Sequence, residues 1–177
     1  EIINYYYGAD VGTVVTKDEK DYVMPINSFS YINGEITGYC DGSNNAHTGI
    51  DFVAIKGTPV YAAHSGIVDN LYDTNYQCGK SCKKGQKEGL GVKIKNSDGT
   101  YSLYMHCSAR ENLVRGQKIE AGQKLGEVGN TGSARGNNGG YHLHYQMQTQ
   151  SNGTRTILNP RDYLPLDEKG YGVCYKP

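Results

Sequence analysis

The chain has 177 residues, of which 37% are apolar, and its 18 Lys+Arg balance 18 Asp+Glu. That length suits one self-supporting domain. The zero net charge leaves no global basic field for nucleic acid or an anionic membrane surface, and no stretch approaches the ~20 apolar residues of a spanning helix.

Twenty-four Gly and 16 Tyr stand against 2 Phe and no Trp. No long apolar pattern of helical period runs through the sequence, so aromatic and β-branched residues between glycine-rich turns predict a mainly β domain. The many tyrosines are expected to pack the sheet. Residues 1–21 contain Tyr5-Tyr6-Tyr7 and then a polar stretch, and read as an arm or linker. The compact domain is expected over 22–165 and a short tail over 166–177. Such an arm implies a piece of a longer protein or precursor.

Strand signals then follow in quick succession. Residues 31–39 carry an Asn33-Gly34 turn, 49–54 read as a buried strand, and 58–70 as two strands bent near Ser65-Gly66. Residues 73–89 are polar and rich in Gly, Lys and Cys, which predicts a long surface loop. Alternation over 90–95 and 101–106 around Asp98-Gly99 predicts a hairpin, with His106 ending its second strand. Gly116-Gln117-Lys118-Ile119 and Gly122-Gln123-Lys124-Leu125 repeat one pattern six residues apart, as a pair of equivalent turns would. Five glycines punctuate the loop 129–140. It lacks a Gly-Lys-Ser/Thr ending and precedes a strand, so it is no phosphate loop; it reads as a site rim or simple turns. Residues 141–148 form a strand and 159–164 a closing segment.

The five cysteines are Cys40, Cys78, Cys82, Cys107 and Cys174, an odd number that forbids complete internal pairing. Cys78 and Cys82 lie four apart in the polar loop. A local disulfide is favoured over a thiolate metal site, because two further ligands at finger-like spacing are missing.

Four histidines fall where chemistry is expected. His142-Leu143-His144 lies in a strand, where residues i and i+2 face one side roughly 6–7 Å apart. His47 and Asp51 would be ~13 Å apart on a straight strand. Both reach one metal only if Thr48-Gly49 bends the chain, and Gly49 is the residue type that permits a bend. His47, Asp51 and one of His142 and His144 then make a two-His, one-carboxylate set, the open donor set of a catalytic zinc ion. The remaining strand histidine and His106 are left to move protons. There is no His-Glu-x-x-His helix to supply a glutamate base. His64 has no partner at a diagnostic spacing and reads as structural.

These elements occur in one order with Gly57-Thr58-Pro59-Val60-Tyr61-Ala62-Ala63, Gly66-Ile67-Val68, Tyr104-Met105-His106, Gly116-Gln117-Lys118, Gly129-Asn130-Thr131-Gly132 and His142-Leu143-His144-Tyr145. Over about 22–165 the chain resembles the lysostaphin-type (LytM-like) zinc endopeptidases of bacterial peptidoglycan. The resemblance implies a compact antiparallel β-sheet domain of the duplicated-hybrid-motif type, with a groove over the sheet. It implies one Zn²⁺ on His47, Asp51 and His144, catalytic roles for His106 and His142, and action outside the cytoplasm on peptidoglycan peptide. A catalytically silent wall-binding or morphogenetic scaffold on the same fold is the alternative, and all five positions that silent members lose are present. The family strand often continues from His-x-His into an aromatic residue and Glu. Here Gln146 follows Tyr145, and lying beyond the ligands it is expected to affect the metal little.

Overall fold

A computed structural model describes residues 15–17, 20–33 and 47–166. Among them are twelve strands and three single-turn 3₁₀ helices. Strands β1 (Val15–Lys17) and β2 (Lys20–Tyr22) pair with each other. The rest join one antiparallel sheet: β3 (Tyr31–Asn33), β4 (Ile50–Val53), β5 (Pro59–Tyr61), β6 (Gly66–Asp73), β7 (Leu90–Asn96), β8 (Tyr101–Arg110), β9 (Lys118–Ile119), β10 (Lys124–Val128), β11 (His142–Ser151) and β12 (Thr154–Leu158). Its main path runs β3-β4-β11-β8-β7-β6-β9, with β12 on β11 and β10 bridging β5 and β8. The mainly β class expected from composition, and the antiparallel sheet that the resemblance implies, are what the chain adopts.

Tyrosine does the packing that Phe and Trp do elsewhere. Tyr22, Tyr104 and Tyr145 are among the largest fully buried side chains, set in a core with Phe52, Ile94 and Leu143. Their hydroxyls stay satisfied, as burial requires. Tyr104 accepts from the Ala63 amide at 2.8 Å, Tyr145 meets Ser102 at 3.0 Å, and Tyr22 donates to Asp98 at 2.7 Å.

The repeated Gly-Gln-Lys segments do form equivalent turns. Gly116 and Gly122 take φ of 84° and 82°, the left-handed region that glycine tolerates. The Gln117 amide donates to Val114 and the Gln123 amide to Glu120, each at 3.1 Å, and each glutamine side chain accepts back from the same residue. Gly34 of the expected Asn33-Gly34 turn, Cys40 and Cys174 lie outside the described residues.

The structure departs from the expected strand plan: the expected arm 1–21 contains β1 and most of β2, the two Gly-Gln-Lys turns lead into β9 and β10, and β12 and the course of β8 differ as well. Strand β12 was not anticipated, although Asn152-Gly153 carries its signal: both residues have positive φ, 48° and 77°, and turn β11 back on itself. His106, expected at a strand's end, lies inside β8, which continues to Arg110. The register between β7 and β8 slips there: Leu90 pairs with Cys107 but Val92 pairs with Tyr104. This bulge re-aims the His106 side chain without ending the strand.

Candidate metal centre and its groove

Antiparallel pairing of β4 with β11 sets Asp51 directly opposite His144. Adjacent strands therefore bring together two residues 93 positions apart. His47 arrives over the bend at Gly49, where a Cβ would sit 2.8 Å from the His144 Nε2. Glycine here allows close approach to an imidazole as well as the bend.

The three donor atoms form a small triangle. His144 Nδ1 is 2.9 Å from Asp51 Oδ1 and 3.1 Å from His47 Nε2, and His47 Nε2 is 3.2 Å from Asp51 Oδ1. Tetrahedral zinc with ligand bonds of ~2.0–2.1 Å spans ligand–ligand edges of roughly 3.3 Å. The donor set and its dimensions thus fit such an ion. Among the described residues it is the one group of His, Cys, Asp or Glu that could hold a metal. Burial opposes ionisation of Asp51, but hydrogen bonds from His144 and His47 outweigh it and hold the carboxyl well below the usual range.

His106 and His142 stand beside the triangle, with ring centroids 4.9 Å apart and His106 5.8 Å from His144. Both hold their Nδ1 against a carbonyl of the glycine-rich loop: His106 on Thr131 at 2.8 Å, His142 on Gly140 at 2.7 Å. An Nδ1–H donated to a carbonyl leaves Nε2 as the free acceptor. The His142 Nε2 lies 3.6 Å from Asp51 Oδ1. Burial, then the neighbouring His142 and His144, lower the His106 pKa to about 3. Burial lowers that of His142 too. Both shifts favour the neutral imidazole. His106 holds a φ of 68°, sparsely populated for a non-glycine residue, and its own amide donates to the Glu88 carbonyl at 2.9 Å.

These five residues line a groove of about 480 Å³. His64 lies elsewhere, with its ring packed against Tyr22 at 4.5 Å. Cys107 is buried and absent from the groove lining, and burial pushes its thiol up to about 12, so it offers no thiolate to the site.

Sequence reasoning gives Gln146 little effect on the metal, but the structure sets it against a member of the donor triangle. Gln146 is 2% exposed, with its Oε1 3.5 Å from His144 Nε2. Thr48 donates to that oxygen at 2.6 Å, and the Gln146 amide donates to Gln148 at 2.8 Å. The alternation His142, His144, Gln146, Gln148 on one strand face was the available signal. Cys78 and Cys82 form a disulfide with Cα atoms 4.9 Å apart. The amides of Cys78 and Gly79 donate to the Gly132 carbonyl at 2.8 and 3.1 Å. The 73–89 loop is thereby sewn to the rim that seats His106.

An open antiparallel sheet carrying an aspartate–histidine donor triangle in a groove defines the class, and sequence comparison supplies the family. The chain belongs to peptidase family M23, whose sequence profile matches residues 45–157. It is 31% identical over 153 residues to the glycyl-glycine endopeptidase ALE-1 of Staphylococcus capitis, covering 82% of this chain and 38% of that protein. It is 38% identical over 107 residues to the DD-carboxypeptidase/endopeptidase Mpg of Neisseria meningitidis serogroup B, covering 58% and 20%. The catalytic domain of the antimicrobial peptidase lysostaphin from Staphylococcus simulans superposes with a TM-score of 0.55 at 30% identity, covering 74% of this chain and 89% of that one. The chain thus spans under two fifths of the length of the full-length relatives named here.

Proposed function

We propose that this chain is a zinc-dependent endopeptidase that hydrolyses peptide bonds of bacterial peptidoglycan cross-links or stems. The observation that carries the reading is the donor triangle of His47, Asp51 and His144 beside two further imidazoles in one groove. His47, Asp51 and His144 would hold the ion, which when bound supplies Lewis acidity toward the scissile carbonyl and lowers the pKa of water.

The chain's own groups carry the protons. With Nδ1 committed to a rim carbonyl, His106 and His142 each present Nε2 to the groove. One accepts the proton of the attacking water as the C–O bond forms. The proton then passes to the amine nitrogen as the C–N bond breaks. Fixing both rings on backbone carbonyls removes the cost of orienting them during the reaction.

Its site of action in this reading is cell-wall peptide outside the cytoplasm, with the chain part of a longer protein; relatives named as glycyl-glycine and DD-endopeptidases, each longer than the matched region, support that reading. Among the described residues no helix is long and apolar enough to cross a membrane. A silent scaffold would be expected to lack part of the five-residue set, and here it is intact. The deciding experiment is digestion of purified sacculi of glycyl-bridged and D-Ala-to-diaminoacid cross-link types, with and without a zinc chelator, read by mass spectrometry. New chelator-sensitive peptide termini are the expected result; intact sacculi of both types would refute the proposal.

A further inference from the structure

Three cations line the groove without a partner. Lys87, Arg135 and Arg155 are exposed residues of its walls. Among the described residues none of them makes an ion pair, whereas Lys93 pairs with Asp69 at 2.8 Å and Arg110 with Asp73 at 2.7 Å. Among the described residues two carboxylates, Asp51 and Glu88, line the same groove. Asp51 belongs to the donor triangle, and Glu88 has its Oε2 enclosed with no hydrogen-bonding partner. The chain as a whole is neutral, so among the described residues the groove carries more positive charge than the chain's average.

The cations also flank the donor triangle. Arg155 stands opposite Gln150 in the β11–β12 ladder. By two-residue alternation it shares the strand face of His142, His144 and Gln146, about 20 Å along the strand from His144. Arg135 lies past the other end, where it also lines a second hollow of about 180 Å³ beside His142 and Asp51, bordered by Tyr31 and Tyr141. Lys87 is tied to that end, because its carbonyl accepts from the Ser133 amide at 3.0 Å.

We propose that the groove selects peptides with free carboxylates on both sides of the scissile bond, namely unamidated D-Ala-to-diaminoacid cross-linked stems, over uncharged glycyl bridges. A cleft lined by one sign of charge concentrates ligands of the other. Each exposed carboxylate–cation pair is worth roughly a two- to fivefold gain in affinity, and a glycyl segment offers these side chains backbone carbonyls but no charge. The inference rests on the peptidase reading of the groove, and binding separates the two.

The test uses three fluorescent peptides: a cross-linked stem with free carboxylates, the same stem with them amidated, and a pentaglycine-bridged one. Affinities are measured by polarisation on the zinc-loaded His106→Ala chain, and kcat/KM on the wild type. The free-carboxylate peptide should bind roughly tenfold more tightly than either other, with the preference shrinking as salt rises from about 0.05 to about 0.5 M. Lys87→Gln, Arg135→Gln and Arg155→Gln should each reduce that ratio roughly two- to fivefold. Binding of the free and amidated stems within about twofold, or tightest binding of pentaglycine, would overturn the proposal. If His106→Ala does not fold, the wild-type kcat/KM ratio decides in the same sense. Preferential binding with no cleavage of any peptide supports charge selection and removes the peptidase reading instead.

Discussion

The carbonyl oxygen of Thr131 lies 2.8 Å from His106 Nδ1, so a rim residue decides which nitrogen of that histidine faces the groove. The same threonine uses its hydroxyl twice. It accepts from the Leu90 amide at 2.9 Å and donates to the Cys107 carbonyl at 2.7 Å. The left-handed backbone of His106 is therefore held between β7, the rim and its own strand.

His106→Ala and His142→Ala separate catalysis from metal holding. Neither is a member of the donor triangle. Each variant should keep zinc and fold while losing sacculus hydrolysis by roughly 10²–10⁴-fold, the worth of a positioned acid–base group. Near-normal activity in His106→Ala would remove it from the reaction.

The triangle itself should account for about one zinc per chain. His47→Ala and Asp51→Ala should lose bound metal and activity together, as measured by elemental analysis of the purified proteins. Full zinc content in either variant would place the ion elsewhere.

Gln146 is expected to set zinc affinity through His144. Its Oε1 faces the imidazole nitrogen that does not point into the triangle, and Thr48 and Gln148 fix its orientation. Gln146→Leu should weaken zinc binding roughly 10–100-fold, the usual cost of losing a group that orients a ligand. Gln146→Glu keeps an acceptor and should retain most of the affinity. A competition titration against a chromophoric chelator measures both, and equal affinities for Leu and Gln would show that Gln146 does not orient His144.

The Cys78–Cys82 disulfide should matter more for activity than for stability. It closes so short a loop that its removal costs at most about 2 kcal/mol. Its neighbours hold Gly132, one residue from the carbonyl that seats His106. Cys78→Ser/Cys82→Ser should unfold only a few degrees lower yet hydrolyse sacculi several-fold more slowly at unchanged zinc content. Alkylation under denaturing, non-reducing conditions checks the bond directly, since five free thiols would exclude it.

Acid should weaken the hairpin clamp on Tyr22. Burial disfavours the Asp98 carboxylate, but hydrogen bonds from Tyr22 and Thr100 outweigh burial and lower its pKa. A carboxyl depressed by folding stabilises above its unfolded pKa and loses that contribution as pH falls through the folded one. Asp98→Asn should cost about 1 kcal/mol at pH 6–7, solvent screening included. The gap to wild type should narrow below about pH 4. Urea titrations at several pH values measure it, and a gap that widens on acidification would reverse the assignment.

Much of this protein is decided by local rules that a sequence states directly. Glycine at 116 and 122 dictates two like turns because each turn needs a positive φ at that position. The spacing of His142 and His144 dictates a shared strand face because alternation is a property of any β-strand. The ordered motifs by themselves carry the resemblance to the lysostaphin-type endopeptidases. Long-range register was not legible. Nothing local says that Asp51 pairs across the sheet with His144, or that β8 bulges at His106 instead of ending there. Those features follow from packing between segments remote in sequence. The same holds for the charge of the groove. Lys87, Arg135 and Arg155 are three unremarkable cations in a neutral chain, and only folding carries them to one cleft.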